Sequence, residues 1–408
     1  MKILLINITY RRGSTGKIIY DSKIYYESLG HDVYVAYAFN SVEQEKKVYQ
    51  LCNSLERHVS SLLSKLGLNQ FRACYFATNK LIRLIEKINP DIVHIHCLNS
   101  FSFNLFKLLD YLSKNNMNTV ITHHAEFYYT GSCSHAFECD NWRLNQCKNC
   151  PRPKQATFNR IFPSPHRNWL VMYEAFNRFD KNKLCFTCVS PWVLERAHTA
   201  PIINKYEQVL VLNGIDTQIF RRNPTIKKPA PLNNRRISDQ IVLHVTAVFN
   251  TSDYVKGGVY VVELAKKNPE ITFLVVANFN KIECDLPSNI VMIGRLTEQI
   301  ELASYYVHSN VTLITSERET FSMVVAESLC CGTPVCGFFA GGPESIAIPD
   351  YSQFCAYGDI NALNASLHKV LSTNYDREII SKEAKIRYSS KTMALNYLSL
   401  YNNILGIV

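Results

Sequence analysis

Short, nearly unbroken apolar runs alternate along this chain with longer stretches in which apolar residues recur every third or fourth position. The runs at 3–8, 33–35, 91–96 and 119–122 lie in the first half, and those at 241–248, 271–277, 290–293 and 310–316 in the second. They are strand-length and rich in β-branched residues, as inner parallel strands buried on both faces require. Between them lie helical patterns. Ile18, Ile19, Ile24, Tyr25 and Leu29 follow the first run, with Ser14 or Thr15 expected as cap; 259–267, 321–331 and 362–371 follow later ones. Gly332 sits where a helix ending at 331 needs a left-handed residue. Met393, Tyr397, Tyr401 and Leu405 recur every fourth residue in the last helix. Strands and helices alternating in two halves predict an α/β chain of two Rossmann-like, doubly wound domains. The stretch 224–239 is rich in Pro, Asn and charge without periodicity. Expected bounds are 1–212 for the first domain, 213–240 for a linker, 241–386 for the second domain and 387–408 for a terminal helix.

Composition changes this picture little. With 408 residues, 47% apolar and 19% charged, the chain suits two soluble globular domains. No uncharged apolar run reaches spanning length, and the run after Met1 lacks a small-residue cleavage site, so a cytoplasmic protein is expected. Its 14 cysteines are then expected to be reduced. A net charge of +10 suits an anionic partner or surface, and equally ordinary solubility.

Candidate chemistry concentrates at 319–342. Glu319 and Glu327, with seven residues between them, fall in a strand–loop–helix–strand context among small residues and few charges. Glu319 is expected at the carboxyl end of a strand, where open α/β sheets bind ligands, and Glu327 about two helical turns further on. Such a pair of acceptors suits a ligand with hydroxyls at both ends; two solvated helix carboxylates are the plainer alternative. Lys256 precedes Gly257-Gly258 at the start of a helix, and Gly13 to Gly16 form a Gly-rich turn before another, a place where free N–H groups meet phosphate. His94 and His96 share one face of a strand, His96 at its carboxyl end. Cys133, Cys139, Cys147 and Cys150 follow as C-x5-C-x7-C-x2-C-Pro with His135 among them, an insert at 131–156. Three readings stand: a structural four-thiolate zinc site, His135 being an alternative ligand; two disulfides; or unligated thiols in a small apolar insert. Residues 152–183 are basic and aromatic, with Trp169, Tyr173 and Phe176 at helical spacing. That stretch either contacts anionic lipid peripherally or packs on its own domain.

The segment 319–342 resembles the E-x7-E region of retaining GT-B glycosyltransferases of the family 4 type, usually worded ExFGxxxxEAxxxGxPV, with Ser322 in the place of Gly. The resemblance extends to Asn213-Gly214-Ile215-Asp216, to the T-x-H motif at Thr122–His124 and to Gly358-Asp359. A comparable Cys-rich insert, also ending in C-x2-C-Pro, occurs in the subgroup that resembles colanic-acid, capsule and O-antigen transferases. The resemblance implies the GT-B fold, two domains facing a central cleft, with the final helix crossing back onto the first. It implies transfer of a sugar from a nucleotide-sugar donor to a saccharide or polyprenyl-diphosphate-linked acceptor with retention, without a catalytic metal. His124 and Glu319 take the catalytic places. Gly16, Lys256, Arg295, Phe321, Ser322 and Glu327 take the donor-binding ones, Glu327 toward the ribose. Two departures stand out: Ala125 replaces the Asp of T-x-H-D, and Val248, Phe249 and Asn250 occupy the place of a diphosphate-binding Arg, for which Arg295 is the expected substitute.

Two other functions share some of these features. A nucleotide-sugar 2-epimerase has the same architecture and no acceptor. A zinc-knuckle nucleic-acid binder fits the charge and the cysteines, but the extensive Rossmann pattern argues against it, and no nucleic-acid partner is expected.

Overall fold

The computed structural model describes residues 1–39, 44–65, 74–98, 102–157, 162–233, 238–279 and 286–407. The chain divides into two compact units, Met1–Leu212 with Met393–Val408, and Asn213–Thr392.

The first unit is built on seven parallel strands, β1 (Lys2–Asn7), β2 (Asp32–Tyr37), β3 (Val48–Gln50), β4 (Ile92–Ile95), β5 (Thr119–His123), β6 (Leu184–Cys188) and β7 (Glu207–Leu210). Their order is β3-β2-β1-β4-β5-β6-β7. β4, β5 and β6 are buried at every position, which is why they read as continuous apolar runs, whereas the outer β3 and β7 are partly exposed. Helix α1 (Gly13–Ser28) lays Ile18, Ile19 and Tyr26 on the sheet. The last helix, Ser390–Leu405, adds Met393, Ala394, Tyr397 and Tyr401 to the same core. Its apolar residues recur every fourth position because that spacing keeps them on one side of a helix. The start of α1 differs from expectation. It begins at Gly13 behind Arg12, with no side-chain cap, and the Thr15 hydroxyl accepts from the Asn7 amide at 3.2 Å.

The second unit has six parallel strands, β8 (Ile241–Phe249), β9 (Thr272–Phe279), β10 (Ile290–Met292), β11 (Val311–Ile314), β12 (Val335–Phe338) and β13 (Ser352–Cys355). They run in the order β10-β9-β8-β11-β12-β13. Val242, Phe273, Leu313, Cys336 and Phe338 meet Val261 and Leu264 of helix Gly258–Lys267 and Leu363 and Leu367 of helix Ile360–Ser372 in its core. Much of the stretch expected as a linker belongs to this unit. Ile215 forms a parallel bridge with Ser389, its N–H donating to the Tyr388 carbonyl at 2.8 Å, and Phe220 is buried edge-on against Tyr306. Residues 234–237 lie outside the described residues. Among the described residues no helix is long and apolar enough to cross a membrane.

Candidate active site

In the second unit the strand order reverses between β8 and β11, and a sheet of this kind opens a crevice at the carboxyl ends of those two strands. The loops leaving β8 and β11 meet there. Gly257 has φ +74°, and a Cβ on it would lie 2.1 Å from the Thr315 carbonyl oxygen; one on Gly258 would lie 2.1 Å from that of Asn250. Only glycine permits so close an approach. This crossing delivers Lys256 to Glu319, Nζ to Oε1 at 3.0 Å, with both side chains partly open to solvent. The Glu319 backbone is clamped. Its N–H donates to Ala340 and its carbonyl accepts from Gly342, at 3.0 and 2.8 Å. The Glu344 carboxylate accepts in turn from the N–H groups of Ala340 and Gly341. The Glu319 side chain therefore rests on a fixed rim.

Helix Met323–Cys330 starts just beyond, behind Ser322, which has φ 76° and caps no N–H with its side chain. No acidic residue stands in its first turn, so the positive end of the helix is uncompensated. The Phe321 side chain is buried, which leaves its backbone N–H as the group it can offer a ligand. Two turns along, Glu327 accepts a 3.0 Å hydrogen bond from the Tyr306 hydroxyl. Tyr306 is fully buried, and burial followed by the Glu327 charge raises its pKa well above the usual phenol range, so it acts here as a donor. The sequence reading missed Tyr306. It lies 21 residues upstream on another helix, and no local spacing links it to Glu327. Arg295 follows β10, the edge strand, two places from β8. It is exposed, and among the described residues no hydrogen bond or ion pair joins it to Lys256 or Glu319.

The first unit has its own reversal, between β1 and β4. Asn7 closes it: its amide donates to the Thr9 carbonyl at 2.8 Å, and its Oδ1 accepts from the Cys97 N–H at 3.2 Å. Gly16 packs against the same loop, where a Cβ would meet Thr9 Oγ1 at 2.9 Å, so it is the close-approach residue of the β1–α1 turn. β5 ends beside this crevice at His123, and His124 follows it. His124 Nε2 lies 3.0 Å from His96 Nδ1, with the rings stacked at 5.3 Å. Burial lowers the His124 pKa to about 3, so the imidazole is neutral at cellular pH. His94, beneath them, is held between the Tyr401 hydroxyl and Thr122 Oγ1 at 2.5 and 2.7 Å, and Thr122 also meets Tyr397 at 3.1 Å. His94 is thus a core residue tied to the last helix. Ala125 offers no carboxylate, and its neighbour Glu126 does not replace one. Glu126 is fully buried, pairs with Arg196 at 2.8 Å and accepts from the Tyr129 hydroxyl and the Ala136 N–H. Glu126 therefore anchors the cysteine insert next to the His124 turn.

In that insert Cys133, Cys139, Cys150 and His135 line one cavity of about 180 Å³. Cys147 is buried with its Sγ 3.5 Å from the Thr130 carbonyl oxygen. All four cysteines are free thiols, so the two-disulfide alternative is not seen. Burial raises the pKa of the Cys133 thiol to about 12. As the side chains stand, no group of three or more His, Cys, Asp or Glu among the described residues is arranged to hold a metal ion. Downstream, helix Pro165–Asn177 turns Trp169 and Phe176 inward, both buried, and leaves Tyr173 partly exposed. Within 152–183, Trp169 and Phe176 thus pack on their own domain while Phe162 is exposed at 70%; Phe158 lies outside the described residues.

Comparison with known proteins identifies the family and the fold. The family model described as Glycosyltransferase Family 4 matches residues 16–219, and that described as Glycosyl transferases group 1 matches 245–387. An N-acetyl-alpha-D-glucosaminyl L-malate synthase of Bacillus anthracis is 25% identical over 237 residues, 54% of this chain and 59% of the relative. A D-inositol 3-phosphate glycosyltransferase of Streptosporangium roseum is 42% identical over 55 residues, 14% of this chain and 13% of the relative. The matches thus span well under two thirds of either relative. Among solved structures, a sucrose-phosphate synthase from Thermosynechococcus elongatus superposes with a TM-score of 0.70 at 16% identity, covering 100% of both chains. Anabaena HepE in complex with UDP and glucose gives 0.65 at 14% identity, covering 99% of this chain and 100% of that one. At these identities the likeness shows the fold, two parallel-sheet α/β domains of the GT-B type.

Proposed function

The chain belongs to Glycosyltransferase Family 4, and on that premise we propose that it transfers a glycosyl group from a nucleotide-sugar donor to a saccharide or lipid-linked saccharide acceptor. We further propose that the transfer retains anomeric configuration and serves cell-surface polysaccharide assembly. The observation that carries the reading is the meeting of Lys256 and Glu319 at the β8/β11 reversal, with Glu327 two turns further along the same rim. HepE, of the same fold, is described in complex with UDP and glucose, which favours a uridine nucleotide as the first donor to try.

In this reading Lys256 and the uncompensated start of helix Met323–Cys330 face the donor diphosphate and offset the charge it gains as the glycosyl C1–O bond breaks. Glu319 accepts from donor-sugar hydroxyls, and Glu327, oriented by Tyr306, accepts from the ribose. A new C1–O bond forms to an acceptor hydroxyl, whose proton leaves with the nucleoside diphosphate oxygen. His124, neutral and oriented by His96, takes the place that contacts the transferred sugar. The insert carries a structural proposal, supported by three thiols and His135 around one cavity: zinc bound there closes the insert by drawing those side chains together and takes no part in transfer. Metal analysis of purified chain should find about one zinc per chain. None, in protein purified without chelator, refutes that part alone.

The test of the main reading is a thermal-shift panel of UDP-, GDP-, ADP- and CMP-sugars on wild type and Glu327→Ala. One nucleotide class should raise the wild-type midpoint by mass action and lose that effect in the variant. If no class shifts the wild type, the proposal is wrong. Conversion of the donor by the protein alone, with no acceptor present, would point instead to an epimerase.

A further inference from the structure

Two buried thiols of the first unit take no part in the site described above. Cys52 follows β3 at the edge of the sheet, and Cys74 stands directly before helix Tyr75–Ile88, 22 positions along the chain. Their Sγ atoms lie 3.3 Å apart, with the residues only 4% and 2% exposed. Bringing the sulfurs to the ~2.05 Å of a disulfide takes a movement of about 1.3 Å. Separate backbone bonds hold each cysteine in place. The Cys52 N–H donates to the Ala38 carbonyl at 3.2 Å, just beyond β2. The Cys74 N–H donates to Ser60 Oγ at 3.0 Å, and its carbonyl accepts from the Thr78 N–H, also at 3.0 Å. Cys74 has φ 50°, a left-handed conformation uncommon outside glycine, which persists only where the surroundings fix it.

The two thiols are not equivalent. Cys52 Sγ donates to Cys74 Sγ, and Ser60 Oγ lies 3.7 Å from Cys74 Sγ on another side. The bond from Cys52 lowers the Cys74 pKa against the effect of burial, with Ser60 adding to it, and the same bond raises the pKa of Cys52. The thiolate is the reactive form, so Cys74 is the sulfur that reacts first and Cys52 the one that resolves. Because both sulfurs are covered, the fitting oxidant is a small hydroperoxide rather than a bulky disulfide reagent.

We propose that Cys52 and Cys74 form a reversible, peroxide-driven disulfide that fastens the end of β3 to the start of helix Tyr75–Ile88. The Cys74 thiolate attacks one oxygen of hydrogen peroxide. The O–O bond breaks, a sulfenic acid forms on Cys74, and the departing hydroxide takes the Cys74 proton and leaves as water. The Cys52 sulfur then attacks Cys74 Sγ, the S–O bond breaks, and a second water leaves with the Cys52 proton. Two thiols and one peroxide thus give one disulfide and two waters, the sulfurs losing two electrons and the peroxide oxygens gaining them. A dithiol reverses the step by exchange. The link encloses helix Ser54–Lys65, which Ser60 and Glu56 already tie to the start of helix Tyr75–Ile88, so oxidation stiffens this edge of the first unit. The proposal does not depend on the transferase reading.

The test treats reduced full-length chain with one equivalent of hydrogen peroxide, followed by alkylation and peptide mapping. Mapping should recover Cys52 linked to Cys74, the intact mass should fall by about 2 Da, and dithiothreitol should restore both thiols. Closing a loop of about 20 residues should raise the thermal midpoint of the oxidised chain by roughly 5 °C. Cys52→Ser should instead trap the sulfenic acid on Cys74, read as a dimedone adduct, and Cys74→Ser should give neither product at this pair. Mapping needs wild type alone, so it decides the matter even where a serine variant fails to fold. Absence of the Cys52–Cys74 peptide, or peroxide consumed at other cysteines while these two stay reduced, would overturn the proposal. So would an oxidised chain whose midpoint does not rise, or a link that forms as fast in urea-unfolded chain, where the fold no longer brings the sulfurs together.

Discussion

The pairing of Lys256 with Glu319 puts the two groups assigned to the donor in contact with each other, and that contact sets a competition. A diphosphate reaching Lys256 has to displace the Glu319 carboxylate, 3.0 Å away. Both side chains are partly exposed, 41% for Lys256 and 29% for Glu319, so water screens the pair, and it is worth at most about 1 kcal/mol. Displacement then weakens nucleoside diphosphate binding by no more than about fivefold. Glu319→Gln keeps the side-chain shape and removes the charge that holds Lys256. The variant should bind the free nucleoside diphosphate as well as wild type or up to about fivefold more tightly. Glycosyl transfer should nevertheless fall by about 2–4 kcal/mol of transition-state stabilisation, roughly 30- to 1,000-fold in rate. Lys256→Ala should weaken diphosphate binding and rate together. Calorimetric titration with the nucleotide class found by thermal shift, beside initial rates, separates the two effects. If Glu319→Gln weakens the free diphosphate as much as Lys256→Ala does, Glu319 is a phosphate-side residue and the competition argument is wrong.

Three further outcomes follow from the same geometry. Ser322 holds φ 76°, where a side chain is strained, so Ser322→Gly should stabilise the chain by about 1 kcal/mol in urea unfolding; a destabilised variant would mean the hydroxyl outweighs the strain. Arg196→Met strands the buried Glu126 carboxylate and should cost about 3–5 kcal/mol, with the double change Glu126→Gln, Arg196→Met recovering part of it. Burial lowers the pKa of His123 and His124 to about 3, and His94 and His96 are lowered well below the usual value by burial first and neighbouring imidazoles second. The unfolded chain then takes up protons below about pH 6.5 that the folded chain refuses, so stability is full above that value and falls as pH drops toward 3. Each histidine contributes up to about 1.4 kcal/mol per pH unit in that window, and urea unfolding that is flat between pH 7 and 5 would contradict the burial of the cluster.

What the sequence disclosed is what lies close together along it. Parallel strands buried on both faces leave long apolar runs, so β4, β5 and β11 were legible from a few residues each. The loop glycines were legible as turns, but the reason for Gly257 is its contact with Thr315, far along the chain, which no local pattern carries. The same divide separates the site residues. Glu319 and Glu327 share one loop and helix and announced themselves, whereas their supports did not. Tyr306 is 21 residues from Glu327, His96 is 28 from His124, and the Tyr401 that fixes His94 is 307 residues away. The helical periodicity of Met393, Tyr397 and Tyr401 marked an apolar face without showing that two of its hydroxyls end on Thr122 and His94.

Helical spacing left two readings of the aromatic residues within 152–183 open. Periodicity says that a helix has an apolar side, and only the fold decides where that side points. Around 165–177 the aromatic side found a domain to cover it, with Trp169 donating its N–H to the Trp142 carbonyl at 2.8 Å. At 54–65 Ser60 and Glu56 bond to the start of helix Tyr75–Ile88, and Leu55, Val59 and Leu62 are left in solvent. Full burial of such side chains is worth about 1.5–3 kcal/mol each. A chain that leaves them exposed forgoes much of that free energy.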